Sequence, residues 1–313
     1  MRGKNNGSAR LVTRRKIVQT LGVAVAAVPL AQLMACSSSE TTSSTGGSGG
    51  AGGAGGAGGA GGAGGAGGTA TNPDGWATGG TASMTGDYAD PFTEGLGSVC
   101  ALTCASTLGP CYAETVERKD ISEGQKGLPV RLAFLVVDES CKPIEGATVD
   151  IWHTSPDGLY SGDDSVSMCT LDDAEAIASR WFRGVQTTDA KGRVDFDSCF
   201  PGWYSGRTIH IHFTIRVNGA EYVTSQLFFD DALSDEVVST QPIYKDRGER
   251  DTTNENDSVV SADEAANSTF QTKQMPDGAL LAWKTLVVRS SLANAQCSLS
   301  GGMGGPPGPP PGG

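Results

Sequence analysis

Apolar and polar residues alternate with a period of two through most of the middle of the chain. The clearest case is 208–217, Thr-Ile-His-Ile-His-Phe-Thr-Ile-Arg-Val. In an extended strand Ile209, Ile211, Phe213, Ile215 and Val217 share one face, and His210, His212, Thr214 and Arg216 the other. Residues 147–152 alternate in the same way, as do 192–196 after a turn signal at Asp189-Ala190-Lys191-Gly192. The run 130–137 is almost wholly apolar, and 223–229 and 280–288 predict further strands. Asp- and Gly-rich turns separate most of them, and 171–179 predicts one short helical turn. Neither a strand–helix–strand rhythm nor a Gly-rich phosphate loop is present. Short alternating strands with frequent turns argue for a β-sandwich or barrel; the prediction is an all-β domain, a β-sandwich over 91–298.

The pattern fails at both ends. Residues 1–36 read as a targeting segment: Thr13-Arg14-Arg15-Lys16-Ile17-Val18 resembles a twin-arginine export motif, and an apolar run over 21–33 leads to Leu33-Met34-Ala35-Cys36, which resembles a lipobox. That run is shorter than the about 20 apolar residues a spanning helix needs, which favours an acylated Cys36 over a transmembrane anchor. Residues 37–90 carry no core-forming pattern. Within them 46–68 is a near-perfect Ala-Gly-Gly repeat without proline, the composition of a flexible tether rather than of collagen. Residues 299–313 form a Gly/Pro tail. The expectation is an exported domain, lipid-anchored at the cell envelope (periplasmic, outer-membrane or surface) or secreted.

Charge changes the picture once. The chain of 313 residues carries −12, yet all six basic residues before Cys36 sit among no acids, so the rest carries −18. Such a body repels phosphate backbones, which argues against nucleic acid as a partner. Eight cysteines beside an export signal suggest an oxidising compartment. With Cys36 acylated, seven remain, an odd number that leaves at least one without an intramolecular partner. Disulfides are expected to staple the lead-in segment and the long loops to the domain.

The chain holds three histidines, His153, His210 and His212. Two imidazoles two residues apart on one strand face can aim at a common point, although alternation alone also generates His-x-His on a solvated edge. Two Gly-rich turns sharpen the reading. One is 150–162, Asp-Ile-Trp-His-Thr-Ser-Pro-Asp-Gly-Leu-Tyr-Ser-Gly; the other is 200–207, Phe-Pro-Gly-Trp-Tyr-Ser-Gly-Arg. Together with Leu108-Gly109-Pro110-Cys111-Tyr112 and Ser225-Gln226-Leu227-Phe228-Phe229, these stretches resemble the intradiol ring-cleavage dioxygenases, the family of protocatechuate 3,4-dioxygenase and catechol 1,2-dioxygenase.

The resemblance implies iron, Fe(3+), held by Tyr160, Tyr204, His210 and His212, with Arg207 beside the substrate ring, Gln226 behind it and Tyr112 lining the pocket. It implies a catechol-type diol and O2 as substrates, a cis,cis-muconate-type diacid as product, and Tyr204 as the ligand that gives way to substrate. Phenolate is a hard anionic donor suited to a trivalent cation, and imidazole also serves iron. Two features depart from the best-known branches: the short spacing from Tyr204 to His210, which resembles the compact secreted branch, and Cys111 between Pro110 and Tyr112. His153 reads as a structural histidine, and Asp163, Asp164, Asp172 and Asp173 as a solvated acidic loop without calcium-loop spacing. Two other readings stand beside the dioxygenase. One is a membrane-tethered β-sandwich binding module without catalytic metal; the other is a zinc hydrolase built on His210 and His212, which lacks a clear third ligand.

Overall fold

The computed structural model describes residues 75–163 and 165–299. Eight strands form within them: β1 (Pro129–Asp138), β2 (Ala147–Trp152), β3 (Arg183–Thr187), β4 (Arg193–Cys199), β5 (His210–Val217), β6 (Ala220–Phe228), β7 (Gln271–Gln274) and β8 (Leu280–Val288). They make two four-stranded sheets, ordered β4-β1-β8-β7 and β3-β2-β5-β6. Only β1 and β8 run parallel; the other neighbours are antiparallel. Val130, Leu132, Phe134 and Val136 of β1 join Val149 and Ile151 of β2 and Ile211, Phe213 and Ile215 of β5 in one buried cluster. The domain is therefore a β-sandwich whose core is the apolar face of each alternating strand.

β1 reads as a continuous apolar run because both its faces are covered. Its odd positions Leu135 and Val137 pack with Val287 against Phe92, Cys100 and Leu102 of the lead-in segment. The second face of β5 is closed as well: His210, His212 and Thr214 are all buried, not solvated. Disulfides hold the cover in place. Cys100 pairs with Cys141, Cys104 with Cys297 and Cys111 with Cys169, leaving Cys199 as a buried thiol.

Two strands escape the sequence pattern. β3 is Arg-Gly-Val-Gln-Thr, and its glycine is demanded by packing, since a Cβ at Gly184 would lie 2.4 Å from Ile121 Cγ2. β7 is Gln-Thr-Lys-Gln on a sheet edge, so it has no buried face to alternate with. The 171–179 region holds α2 (Ala174–Ala178), capped by Asp173, just after α1 (Ser167–Thr170). Three further helices, α3 (Asp231–Thr240), α4 (Pro242–Lys245) and α5 (Ala262–Asn267), were not in the strand pattern. The capping box of α5, Ser261 with Glu264, was a readable signal for it.

Two expected boundaries need correction. Residues 75–90 are not tether. Trp76 is buried and its indole N–H donates to Glu236 at 2.8 Å, while Ala77 N donates to Gly278 O at 2.8 Å. Asp277 accepts from Thr85 N, Gly86 N and the Tyr88 hydroxyl, so one carboxylate fastens the segment to the β7–β8 turn. Close approach explains why Gly278 stands there: its φ is +80°, and a Cβ would lie 2.5 Å from Ala77 N. At the other end Leu299 is buried and donates to Ala105 O, so it belongs to the domain rather than to the tail. The rest of the predicted linker (37–74), the export segment 1–36, Cys36 and the tail 300–313 lie outside the described residues.

Trp76→Ala is expected to lower the stability of the domain by about 3–5 kcal/mol, the usual range for deleting a buried indole. Urea unfolding of the full chain measures it; a change below 1 kcal/mol would return residues 75–90 to the tether.

Candidate active site

Two loops and one strand build the site. The first loop follows β2 and carries Tyr160; the second follows β4 and carries Tyr204. They are laced backbone to backbone: Gly202 N donates to Ser155 O at 3.0 Å and the Thr154 hydroxyl to Gly202 O at 2.7 Å. Glycine is required on both sides. A Cβ on Gly202 would lie 2.1 Å from Pro156 O, and one on Gly158 (φ +78°) would lie 2.4 Å from Trp203 O. The Gly-rich character of both motifs is thus the condition for bringing two tyrosines together. Tyr160 is fixed further by its own N–H, which donates to Cys169 O at 2.9 Å next to the Cys111–Cys169 disulfide.

β5 supplies the imidazoles. His210 Nε2 lies 3.3 Å from Tyr160 Oη, 3.3 Å from Tyr204 Oη and 3.1 Å from His212 Nε2. The four side chains named from the sequence as metal ligands therefore converge on one point. The tautomer of His210 follows from its other nitrogen, 2.6 Å from Thr208 O. A carbonyl only accepts, so Nδ1 carries the hydrogen and Nε2 presents a lone pair to the cluster. His212 is held flat on Trp152, with ring centroids 5.0 Å apart. On its edge stands Gly109 (φ +76°), where a Cβ would lie 3.1 Å from His212 Cε1.

Burial sets the protonation. It holds both His210 and His212 well below the usual imidazole range, with the Arg207 charge acting in the same direction. Both rings are therefore neutral and available as ligands at physiological pH. Burial also pushes the Tyr160 phenol well above 10, and raises Tyr204 against the lowering effect of Arg207. The pocket thus gathers two neutral imidazoles and two phenols with their donor atoms nearly in contact. A set of hard oxygen and imidazole donors in that arrangement fits a cation such as iron, which would favour the ionised phenols. Among the described residues no group of three or more His, Cys, Asp or Glu side chains could hold a metal. The oxygen donors beside the histidine pair are the tyrosines.

Arg207 donates to Gln226 Oε1, joining the two residues expected beside the substrate ring. Tyr112 packs edge-on against Trp152 at 4.9 Å and donates to Asp150 Oδ2 at 3.1 Å; Asp150 in turn pairs with Arg216. It belongs to the buried patch of Trp152, Tyr160 and the Cys111–Cys169 bridge, against which Tyr204 also packs. His153 is outside the cluster. It is buried, bonds to Thr154 O and the Ser198 hydroxyl at 2.8 Å each, and burial pushes its pKa down to about 3. In the acidic loop Asp163 pairs with Arg180 and Asp173 caps α2; Asp164 lies outside the described residues.

A family model described as "Dioxygenase" matches residues 106–273, which span the whole of this site. The chain belongs to the intradiol ring-cleavage dioxygenase family. A solved intradiol ring-cleavage dioxygenase from Tetranychus urticae superposes with a TM-score of 0.55 at 31% identity, over 61% of this chain and 95% of that one. A chlorocatechol 1,2-dioxygenase of Pseudomonas putida is 27% identical over 120 residues, 33% of this chain and 42% of the relative. A catechol 1,2-dioxygenase of Acinetobacter lwoffii is 25% identical over 142 residues, 38% of this chain and 43% of the relative. The match spans less than half the length of these two bacterial relatives.

Three residues of this site have no role that the sequence alone marks. Trp152 and Gly109 lie inside quoted motifs, and their packing on His212 needs three dimensions to see. Asp257 pairs with Arg207 at 2.9 Å from a polar loop fifty residues away, where no periodicity marks it.

Gly109→Ala is expected to destabilise the domain by about 1–3 kcal/mol, from the left-handed backbone and the push on His212 together. Thermal unfolding and the His212 ring resonances in NMR of metal-free protein measure both effects; an unmoved ring would sink the packing account.

Proposed function

We propose that this protein is a non-haem Fe(III)-dependent dioxygenase that opens the ring of catechol-type aromatic diols with O2 to give cis,cis-muconate-type diacids. The convergence of Tyr160, Tyr204 and His212 on the lone pair of His210 carries the reading. Family membership supports it, and relatives named for catechol and chlorocatechol support a catechol-type ring. When bound, ferric iron would supply a trivalent Lewis-acidic centre for the diol and activate the ring toward O2.

The chain's own residues divide the remaining work. Tyr160 and Tyr204 would hold the ion through their phenolate oxygens, and His210 and His212 through Nε2. Tyr160 is buried behind the disulfide-tied turn and suits a permanent ligand. Tyr204 is only partly buried, at the edge of the cluster beside Arg207, and suits the ligand that gives way. Its Oη would then take up one diol proton. Arg207 presents a fixed guanidinium where negative charge grows on the ring, an electrostatic role of the oxyanion-hole kind. Gln226 orients that guanidinium through Oε1. Tyr112, steadied by Asp150, limits the pocket on the Trp152 side.

Purified full-length protein is expected to contain about one iron per chain and to show a broad visible phenolate charge-transfer band. Tyr160→Phe and His212→Ala should each remove the band and lower O2 uptake with catechol by more than about 100-fold, beyond what losing an outer partner of a ligand does. A colourless wild type that takes up no iron would overturn the reading.

We also propose that the chain is exported and held at the cell envelope by a lipid on Cys36. Support comes from the twin-arginine and lipobox resemblances and from three disulfides within the described residues, a chemistry of oxidising compartments. Cys36→Ser is expected to abolish incorporation of labelled fatty acid and to release the protein from the membrane fraction. Unchanged fractionation would refute the anchor.

A further inference from the structure

Arg207 is held by more than Gln226. Its Nε lies 2.9 and 3.2 Å from the two carboxylate oxygens of Asp257, while its Nη2 donates to Gln226 Oε1. The Asp257 side chain is wholly buried, and that of Arg207 is 11% exposed. The carboxylate is in turn fixed by backbone donors: Thr208 N at 2.8 Å on Oδ2, and Val259 N and Val260 N at 2.8 and 3.1 Å on Oδ1. Its loop straps the Tyr204–His210 segment at further points. Asp251 accepts from Gly206 N, Asn254 accepts from the Thr208 hydroxyl, and the Ser258 hydroxyl donates to Gly206 O.

A guanidinium on a flexible stem loses much rotamer freedom when it is ordered, and it stabilises developing charge only if it is already in place. Two anchors on different nitrogens of the guanidinium, Nε and Nη2, fix the plane and direction of the group. A buried carboxylate that makes several hydrogen bonds is a rigid anchor, because every displacement would strip it of partners it cannot replace with water. We infer that Asp257 is the positioning residue that fixes Arg207 beside the tyrosine–histidine cluster. Its effect on ring opening rests on the function proposed above; its effect on the order of Arg207 does not.

The test is a double-mutant cycle in the full-length protein, with Asp257→Asn and Arg207→Leu singly and together. Asparagine keeps one oxygen for Val259 N and Val260 N but turns its amide N–H2 toward both Arg207 Nε–H and Thr208 N–H, so the anchor is lost together with one backbone contact, and the latter loss is common to both backgrounds of the cycle. Asp257→Asn is expected to lower kcat for catechol by about 10- to 100-fold with a smaller change in KM. In the Arg207→Leu background it is expected to cost less than about threefold more, since there is no guanidinium left to misplace. The Nε–H of Arg207, followed by NMR in metal-free protein so that no paramagnetic ion broadens it, should exchange with solvent at least about tenfold faster in Asp257→Asn than in wild type.

An equal fall in both backgrounds, or no change in Nε–H exchange, would overturn the proposal and leave Asp257 a loop-fastening residue. If catechol is not turned over by the wild type, the exchange measurement still decides the role of Asp257, while the failure falls on the function. Should Asp257→Asn not fold, Asp257→Glu keeps the charge one methylene out of place. It is then expected to speed Nε–H exchange and to lower kcat only where Arg207 is present; an equal loss without Arg207 refutes the proposal.

Discussion

Three donor atoms that would rather be solvated are held nearly in contact with a fourth, His210 Nε2, in a largely buried cluster. Nothing in the hydrophobic core asks for this. Phenols and imidazoles deprived of water cost free energy unless each finds a partner, and here their partners are largely one another. The surrounding architecture answers that constraint. The two tyrosine loops touch through glycines that no larger residue could replace, and the histidine pair is set by strand periodicity and steadied by Trp152, Thr208 and Gly109. A sandwich of this kind could be stable without the arrangement. The arrangement could not exist without the sandwich, because β5 is what places two imidazoles on one side.

Much of this was legible before any coordinates, for reasons particular to each element. β5 declared itself because one face packs on the core with isoleucine and phenylalanine, so its polar face stood out by contrast. The convergence of Tyr160 and Tyr204 on the histidine pair was legible because each tyrosine sits in a short motif whose glycines have local geometric causes. β3 and β7 were not legible: one has a single apolar residue and the other none, and both owe their existence to partner strands. Residues 75–90 were misassigned because glycine-poor and glycine-rich polar sequence look alike until Trp76 finds its place in the core and Asp277 gathers three donors. Asp257 was beyond reach for a further reason. A buried carboxylate in a loop rich in Asp and Asn differs from its solvated neighbours only by what lies opposite it.

The histidines show how far spacing can go. His153 lies within the same motif as Tyr160 and reads from the sequence as a structural histidine. Its two nitrogens are spent on Thr154 O and the Ser198 hydroxyl, a complete set of partners that leaves no lone pair for a metal. His210 spends only Nδ1 on the backbone. The difference in this chain between an imidazole with both nitrogens spent and one that presents a lone pair to the cluster is thus one hydrogen bond, and one that sequence does not display.

The disulfides make sense as the counterpart of the buried polar cluster. Its donors meet only if their loops keep one arrangement, and loops keep an arrangement best when their ends cannot separate. Cys111–Cys169 ties the segment bearing Gly109 and Tyr112 to the turn whose carbonyl receives Tyr160 N–H, across a separation of 58 residues. In the chain-entropy treatment a bridge of that span removes about 4 kcal/mol of unfolded-state freedom. That is comparable to the several kcal/mol that gathering poorly solvated polar groups costs. Cys111 stands where the family resemblance led us to expect an aromatic or other side chain, so this chain braces its site with a covalent bond beside Tyr112. Such a brace would suit the proposed site, whose donors would have to be arranged when a ligand binds, since the rigidity is supplied by the chain itself.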